Sequence, residues 1–484
     1  GRGSGLIVGK KWGGFLRFRG DGSVMFVAPM GSGKGVGIVI PNLLDYPGSV
    51  IGAQGRRRSP CRARRKRRTL GKVYQLDAIT PERSASFNPL DMVRVGTPTE
   101  YDDALALADL LVMPESSEAH WDTSAKQILA AVIMYVLRTR PPELQTLAVV
   151  DELLNAEGNT LRDTFTIMAR RPEQAIATKA RQALRALEHP EFNSVLSNAG
   201  KALNLWAADR IAGQLSMRSS FDMMQLHTDT ITVYLMVPED LLAVYAPFLR
   251  VMMGCAMAAL VRGKGLPRAK HKPLLLVDEC QALGRLDALE RGVGYLREYA
   301  RMVLVFQDWG RLRALYGKDG ADSFKAASGA QVVFGVNDIE TARDVAETLG
   351  MYTEHARSEG QSQANTDLVR RQEQAGLSET GRYLRDPSEI LRMSPSKCIV
   401  RMNTVRAPIE ARKIRYYTVR KWKGLWDAWR DDARLSAHAA ATYQAAHDGG
   451  PSAVPASPAA PLSAHPPDQS TPSQGFDAAE RAQP

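Results

Sequence analysis

One stretch constrains the fold more than any other part of the chain: VMFVAPMGSGKGVG, residues 24–37. The apolar run 24–27 predicts a buried strand, and the apolar segment 36–44 predicts a helix that Pro41 kinks or ends. A glycine-rich loop that closes on Lys34 joins the two. This order of strand, glycine loop, lysine and helix is typical of a phosphate-binding loop.

The loop residues have the chemistry that a nucleoside triphosphate needs. Glycines let backbone N–H groups converge on anionic oxygens, and the helix N-terminus adds partial positive charge. The Lys34 ammonium is a point charge that reaches the β- and γ-phosphates. We therefore predict that ATP is held by Gly31, Ser32, Gly33, Lys34 and Gly35.

Two positions depart from the usual pattern G-x-x-x-x-G-K-[ST]. Ala28 stands where the first glycine is expected, and Gly35 stands where a serine or threonine would offer a hydroxyl to Mg²⁺. The alternative interpretation is a glycine-rich turn before an ordinary helix. We favour the phosphate loop because both the strand and the helix are present around it.

A second signal is the apolar strand 273–277, which ends in Asp278 and Glu279. At the carboxyl edge of a parallel sheet these acids would lie beside the phosphate loop. Asp278 would then hold Mg²⁺ directly or through water, and Glu279 would accept a proton from the attacking water. The alternative is a pair of acids that merely suits the start of a helix.

Three further side chains are weaker candidates. Gln307 ends the next apolar strand, where its amide would sense the γ-phosphate and orient water, although an exposed polar strand end is an equal alternative. Arg297 and Lys318 are candidates for a cation that a neighbouring subunit donates to the site. Most such residues are solvated surface charges.

The spacing of the apolar residues predicts the organisation of the chain. Strands alternate with helices before residue 97 and after residue 224, which indicates a mostly parallel sheet covered on both faces. Helical periodicity without strand signals lies between them. We predict an α/β fold with these parts: residues 1–96, the first part of a nucleotide-binding domain; 97–224, an all-helical insertion domain; 225–435, the second part of the nucleotide-binding domain; and 436–484, a disordered tail rich in Ala, Pro and Ser.

Several local expectations follow from the same patterns. Helices are predicted over 241–261 and 286–299, and a polar mobile loop over 358–379. The basic segment 56–68 holds nine positive charges, so the net charge of +11 reflects one local run rather than a charged face. The four scattered cysteines indicate neither disulfides nor a zinc site, and no apolar run approaches the roughly 20 residues of a membrane span.

These motifs together resemble the coupling-protein ATPases of bacterial conjugation and type IV secretion, the TraG type. The likeness spans roughly residues 5–420 and rests on these segments: APMGSGKGVGIVIP (28–41), PGS (47–49), FNPLD (87–91), YLMVP (234–238), DECQALG (278–284), LRALYG (312–317) and NDIETA (337–342). The resemblance implies a RecA-like P-loop motor with a helical domain, ATP and DNA binding, hexamers, and delivery of relaxase-bound DNA to a secretion channel.

The resemblance also implies amino-terminal transmembrane helices and a place at the cytoplasmic face of the bacterial inner membrane. No such helix is evident here, so we expect an amino-terminal truncation or a soluble cytoplasmic variant. The family continues residues 53–68 as a strand with an Asp-x-Lys-Gly-Glu type of segment. The basic run found instead resembles a compensated frameshift that damages a strand, with a DNA-binding arm as the weaker alternative.

Two other functions stay open from the sequence. One is a non-hydrolysing receptor that docks secretion substrates and has a vestigial nucleotide site, which Gly35 and the basic run favour. The other is a related DNA translocase of septal or repair type, which the helical insertion disfavours.

Overall fold

The computed structural model describes residues 5–54, 58–113, 119–360 and 374–427. Its centre is an 11-stranded sheet, and a separate two-stranded hairpin accompanies it. The strands are β1 (Leu6–Lys11), β2 (Gly14–Phe18), β3 (Ser23–Val27), β4 (Val50–Gln54), β5 (Lys72–Asp77), β6 (Ile231–Met236), β7 (Leu274–Val277), β8 (Arg301–Phe306), β9 (Ser328–Val333), β10 (Met351–Gly360), β11 (Gln374–Tyr383), β12 (Lys397–Met402) and β13 (Ile409–Arg412).

The order of the sheet is β2-β1-β13-β12-β9-β3-β8-β7-β4-β6-β5. Seven neighbouring strands, from β9 to β5 in that order, run parallel. The remaining four extend the β9 side with antiparallel pairs. The carboxyl ends of β3, β8 and β7 therefore meet at one edge, as the sequence predicts for the nucleotide site.

The helices of the described residues cover both faces. They are α1 (Ile40–Asp45), α2 (Arg58–Arg68), α3 (Glu100–Leu111), α4 (Ala119–Thr139), α5 (Leu147–Leu154), α6 (Gly158–Ala169), α7 (Gln174–Ala186), α8 (Pro190–Leu203), α9 (Ile211–Leu215), α10 (Gln225–Thr228), α11 (Ala246–Arg262), α12 (Asp287–Gly292), α13 (Trp309–Ala327), α14 (Ile339–Leu349) and α15 (Pro387–Leu391). None of these helices is long and apolar enough to cross a membrane.

The sheet has an apolar core on each face, because successive side chains of a strand point to opposite faces. Met25 and Val27 of β3 face a large apolar cluster that continues into helices α3 to α9. Val24 and Phe26 face the opposite cluster, which holds the helix after the phosphate loop. Since side chains on a strand point alternately to the two faces, one fully buried strand joins both cores.

The helical segment from α3 to α10 lies between β5 and β6, two strands that pair in parallel. Its described residues contain no strand. The predicted all-helical insertion in an α/β fold is therefore confirmed. One apolar cluster runs through both this segment and the sheet, so the structure does not separate them. The boundaries at residues 97 and 224 stay predictions.

Pro41 does not end its helix. The chain after the loop forms a π-helical turn, Gly35–Val39, and then continues as α1 through Pro41 to Asp45. Proline lacks the N–H that an α-helix would direct at the fourth preceding carbonyl. The change from π to α geometry comes directly before it, and the helix continues.

The basic segment is not a damaged strand. β4 ends at Gln54, and most of the run forms helix α2. Arg67 is fully buried and donates to Tyr46 O and Gly48 O at 2.6 Å and to Thr232 Oγ1 at 2.7 Å. Tertiary hydrogen bonds therefore anchor a helix that its composition alone does not predict.

Three other local expectations are wrong in part. The segment 286–299 forms only α12 and a short 3₁₀ turn, and residues 241–245 precede α11 as a turn. Within 358–379, residues 358–360 and 374–379 belong to the hairpin strands β10 and β11, whereas 361–373 lie outside the described residues. The predicted tail, 436–484, lies outside them as well.

Candidate functional site

The phosphate loop follows β3 and is pinned at both ends. Ala28 N donates to Phe306 O of the neighbouring strand at 2.8 Å, and Gly37 N donates to Gly33 O at 2.8 Å in the first helical turn. Gly31 and Gly33 have φ of 77° and 89°, values that favour glycine. A Cβ at either position would contact nothing within 4 Å, so the backbone conformation, not space, requires glycine there.

The two acids lie opposite the loop, as the sequence predicts. Lys34 Nζ lies 2.6 Å from Glu279 Oε2 and 3.4 Å from Asp278 O, across 244 residues of sequence. Asp278 is 8% exposed and its N–H donates to Ala53 O of β4 at 3.3 Å. The structure therefore brings the loop lysine, the Glu279 carboxylate and the backbone carbonyl of Asp278 into one site.

Gln307 belongs to the same site. It follows β8, the strand between β3 and β7, and its amide nitrogen donates to Glu279 Oε1. The Gln281 amide donates to the same oxygen. Two neutral donors and the Lys34 ammonium thus orient the Glu279 carboxylate, which is the group that the sequence assigns to proton abstraction.

The loop fits an anionic ligand. Ser32 Oγ is buried and has no hydrogen-bond partner among the described residues. Since a buried polar atom is normally paired, this hydroxyl indicates a ligand that accepts or donates there. No group of three or more His, Cys, Asp or Glu side chains in the described ranges can hold a metal ion, so Mg²⁺ would depend on phosphate oxygens, water and Asp278.

Sequence reasoning missed Lys413. This residue directly follows β13, yet its Nζ donates to Ser32 O of the phosphate loop at 3.1 Å and lies 5.0 Å from the Phe334 ring centre. Burial lowers the pKa of the Lys413 ammonium. A single lysine at the end of a short strand carries no motif, so only the antiparallel extension of the sheet reveals its place.

The two predicted trans-acting residues lie apart from this cluster. Arg297 precedes β8 and lines a cleft with Asp21 and Lys272, at the amino edge of the sheet. Lys318 lies in α13 just after Gly317, whose φ of 73° kinks the helix. Neither lines the phosphate loop, and their role towards a neighbouring subunit stays a prediction.

The family model and the similar proteins that match this chain point to the same family. Residues 4–446 match the family model of type IV secretory system conjugative DNA transfer. The conjugal transfer protein TraG of Escherichia coli is 29% identical over 407 residues, covering 79% of this chain and 64% of TraG. Protein VirD4 of Agrobacterium fabrum is 28% identical over 436 residues, covering 87% and 63%. The chain thus spans less than two thirds of the length of these relatives.

Solved structures confirm the fold. The coupling protein TrwBdeltaN70 in its unbound monoclinic form superposes with a TM-score of 0.63 at 15% identity, covering 85% of this chain and 89% of that chain. TrwB in complex with ADP and Mg²⁺ gives a TM-score of 0.64 at 15% identity, covering 86% and 90%. The predicted RecA-like P-loop architecture is therefore confirmed.

Proposed function

The chain belongs to the type IV secretory system conjugative DNA transfer family, and from that premise we propose that it binds ATP with Mg²⁺, hydrolyses it, and uses the energy to deliver DNA to a secretion channel. One observation carries the proposal. The Lys34 ammonium and the Glu279 carboxylate lie 2.6 Å apart at the edge where a nucleotide would bind.

Each side chain of the site has a role in this proposal. Lys34 and the loop N–H groups hold the β- and γ-phosphates, and Asp278 holds the metal ion. Glu279 accepts the proton of the attacking water, and Gln307 orients that water. ATP must replace Glu279 as the partner of Lys34, which frees the carboxylate to act as a base. Catalysis of this kind depends on positioning and electrostatics.

Binding of Mg²⁺ is the least usual part of the site because Gly35 offers no hydroxyl. We propose that Asp278 and water complete the coordination of an ion held mainly by the phosphates, and that the unpaired Ser32 hydroxyl contacts the same phosphates. The neighbouring structure TrwB contains ADP and Mg²⁺, which supports this pairing of nucleotide and ion.

The partners follow from the family. DNA, or DNA bound to a relaxase, is the proposed cargo, and components of the type IV channel receive it. A homohexamer, with Arg297 or Lys318 reaching the site of a neighbour, and association with the inner membrane are proposed on the same ground. The runner-up is a receptor that docks substrates without hydrolysis, which Gly35 favours.

The test is DNA-stimulated ATP turnover together with ATP affinity. We expect Lys34→Ala to abolish both binding and hydrolysis, and Glu279→Gln to abolish hydrolysis while ATP still binds. Lys72→Ala is the matched control, since this exposed lysine begins β5 at the other edge of the sheet. Parental turnover by Lys34→Ala would refute the site. ATP binding without any turnover by the parental chain would favour the receptor.

A further inference from the structure

A tryptophan occupies the tip of the β1–β2 hairpin. Lys11 pairs with Gly14, so Trp12 and Gly13 form a two-residue turn. Both have positive φ, 48° and 78°, the signature of a type I′ turn. Asn-Gly is the sequence that such a turn prefers, whereas a bulky side chain in this conformation is strained. Local structure therefore does not explain why Trp12 is there.

Packing does not explain it either. The Trp12 side chain is 91% exposed, the most exposed large hydrophobic residue among those described. Its ring contact is with the Lys11 ammonium, 4.6 Å from the ring centre. A large aromatic face held in water beside a cation is suited to a flat, anionic partner.

The ring stands at the rim of a basic cleft of about 680 Å³. Lys10, Lys11, Arg412 and Arg415 line it, and in the described chain none of the four forms an ion pair within 4.0 Å. Among the described residues that line the cleft, Glu410 is the one acid. That carboxylate is already paired with Lys397 at 2.5 Å and with Arg385 at 2.9 Å. The cleft is therefore positively charged and its charge is not neutralised internally.

The cleft is also connected to the nucleotide site. Lys413 lines it, and the same side chain donates to Ser32 O of the phosphate loop. Lys10 of β1 is the cross-strand partner of Arg412 in β13, so the hairpin adjoins the strand that leads to Lys413. The cleft and the phosphate loop therefore share Lys413 as a contact residue.

We propose that this cleft, with Trp12 at its rim, binds single-stranded DNA, the bases stacking on the indole and the phosphates contacting Lys10, Arg412 and Arg415. A basic groove combined with an exposed aromatic ring is the usual design for single strands. A duplex hides its base faces, and a lipid surface fits a flat or convex patch, not a cleft. The proposal rests on the proposed function, since DNA is the cargo there, and assigns it a contact surface.

Two substitutions at one position give the sharpest test. Trp12→Asn removes the ring but suits the type I′ turn better than Trp does, so the hairpin stays folded. Trp12→Tyr keeps an aromatic face. Binding of a fluorescent oligothymidylate, measured by anisotropy without nucleotide, should weaken about tenfold in Trp12→Asn and much less in Trp12→Tyr. ATP affinity of both variants reports that the motor is intact.

The charges are tested by salt dependence. Lys10→Gln and Arg412→Gln should each reduce the slope of log affinity against log salt by about 0.7, the value of one phosphate contact on a single strand. Arg68→Gln, an exposed arginine of the basic helix, should leave the slope unchanged. Equal slopes in all three variants would overturn the assignment of the cleft.

The outcomes separate this inference from the proposed function. If the parental chain binds oligothymidylate and Trp12→Asn binds it equally well, the cleft is not the contact surface, while DNA delivery stands. If the parental chain binds no DNA, both the assignment of the cleft and the proposed function fail. If Trp12→Asn loses binding to phosphatidylserine vesicles but not to DNA, the cleft serves a membrane and the inference is overturned.

Discussion

Arg67 offers a decisive test of the basic helix α2. The family resemblance predicted a strand in this segment, and the basic run that stands there was expected to damage that strand. In the structure the Arg67 guanidinium is buried and satisfies two backbone carbonyls and one hydroxyl. Arg67→Met keeps an unbranched, apolar stem, although a shorter one, and removes all three hydrogen bonds.

The size of the effect follows from two opposing contributions. Hydrogen bonds from a charged donor contribute about 1.5–3 kcal/mol each, so three give about 4.5–9 kcal/mol. Burial opposes them because it lowers the pKa of Arg67 to about 10. The cost to the charged form is on the order of a few kcal/mol. The hydrogen bonds exceed this cost, and we expect Arg67→Met to destabilise the chain by about 3 kcal/mol.

Urea unfolding followed by tryptophan fluorescence and circular dichroism measures the difference. Arg68→Met is the matched control, since the neighbouring side chain is exposed and its loss should change stability by less than about 0.5 kcal/mol. Equal stability of the two variants would refute the docking of α2. DNA affinity should not change in Arg67→Met, because a buried guanidinium cannot reach a phosphate.

Three other perturbations have clear expected outcomes. Gly71→Ala places a Cβ 1.7 Å from a backbone carbonyl oxygen of the chain before β6 and should cost about 2–3 kcal/mol in urea unfolding. Partial burial of Asp45 raises its pKa, but hydrogen bonds from Arg17 and Lys421 prevail and the pKa lies below its usual value. Asp45→Asn should therefore destabilise at pH 7 by about 1–3 kcal/mol, and the difference should shrink as the pH falls through that lowered pKa. Gln307→Ala should reduce ATP turnover by about 100-fold with little change in ATP affinity.

The first two of these have a control within the chain. Gly158→Ala adds a Cβ that meets nothing within 4 Å, so its stability should equal or exceed that of the parent. Asp240→Asn, at an exposed turn, should show no dependence on pH. A pH-independent deficit in Asp45→Asn would contradict the ion pairs, and parental turnover in Gln307→Ala would exclude Gln307 from catalysis.

Local motifs predicted the centre of the molecule well. The glycine loop, Lys34 and the pair Asp278–Glu279 each lie within a few residues of a strand end. The sequence alone predicts the role of such short motifs, because their residues are close together in the chain. Their meeting across 244 residues follows from parallel strands whose carboxyl ends share one edge. The strand order, with β8 between the two motifs, also places Gln307 where its amide reaches Glu279.

The features that the sequence did not predict depend on contacts between residues far apart in the chain. The helix α2 consists mostly of arginine and lysine, and only its contacts with β6 and the turn after α1 show that Arg67 is an anchor. The hairpin strands β10 and β11 are polar and lack the apolar alternation that marks a half-buried strand. Lys413 reaches the phosphate loop only because β12 and β13 extend the sheet beyond β9.

The parallel pairing of β5 with β6 has a consequence for how such a chain diversifies. Two adjacent parallel strands need a crossover of only a dozen or more residues, usually one helix. Here the whole array from α3 to α10 serves as that crossover, and the strand register on either side is regular. The helical segment can therefore be longer or shorter without a change in the register of β5 and β6, provided that it presents an apolar face to the sheet.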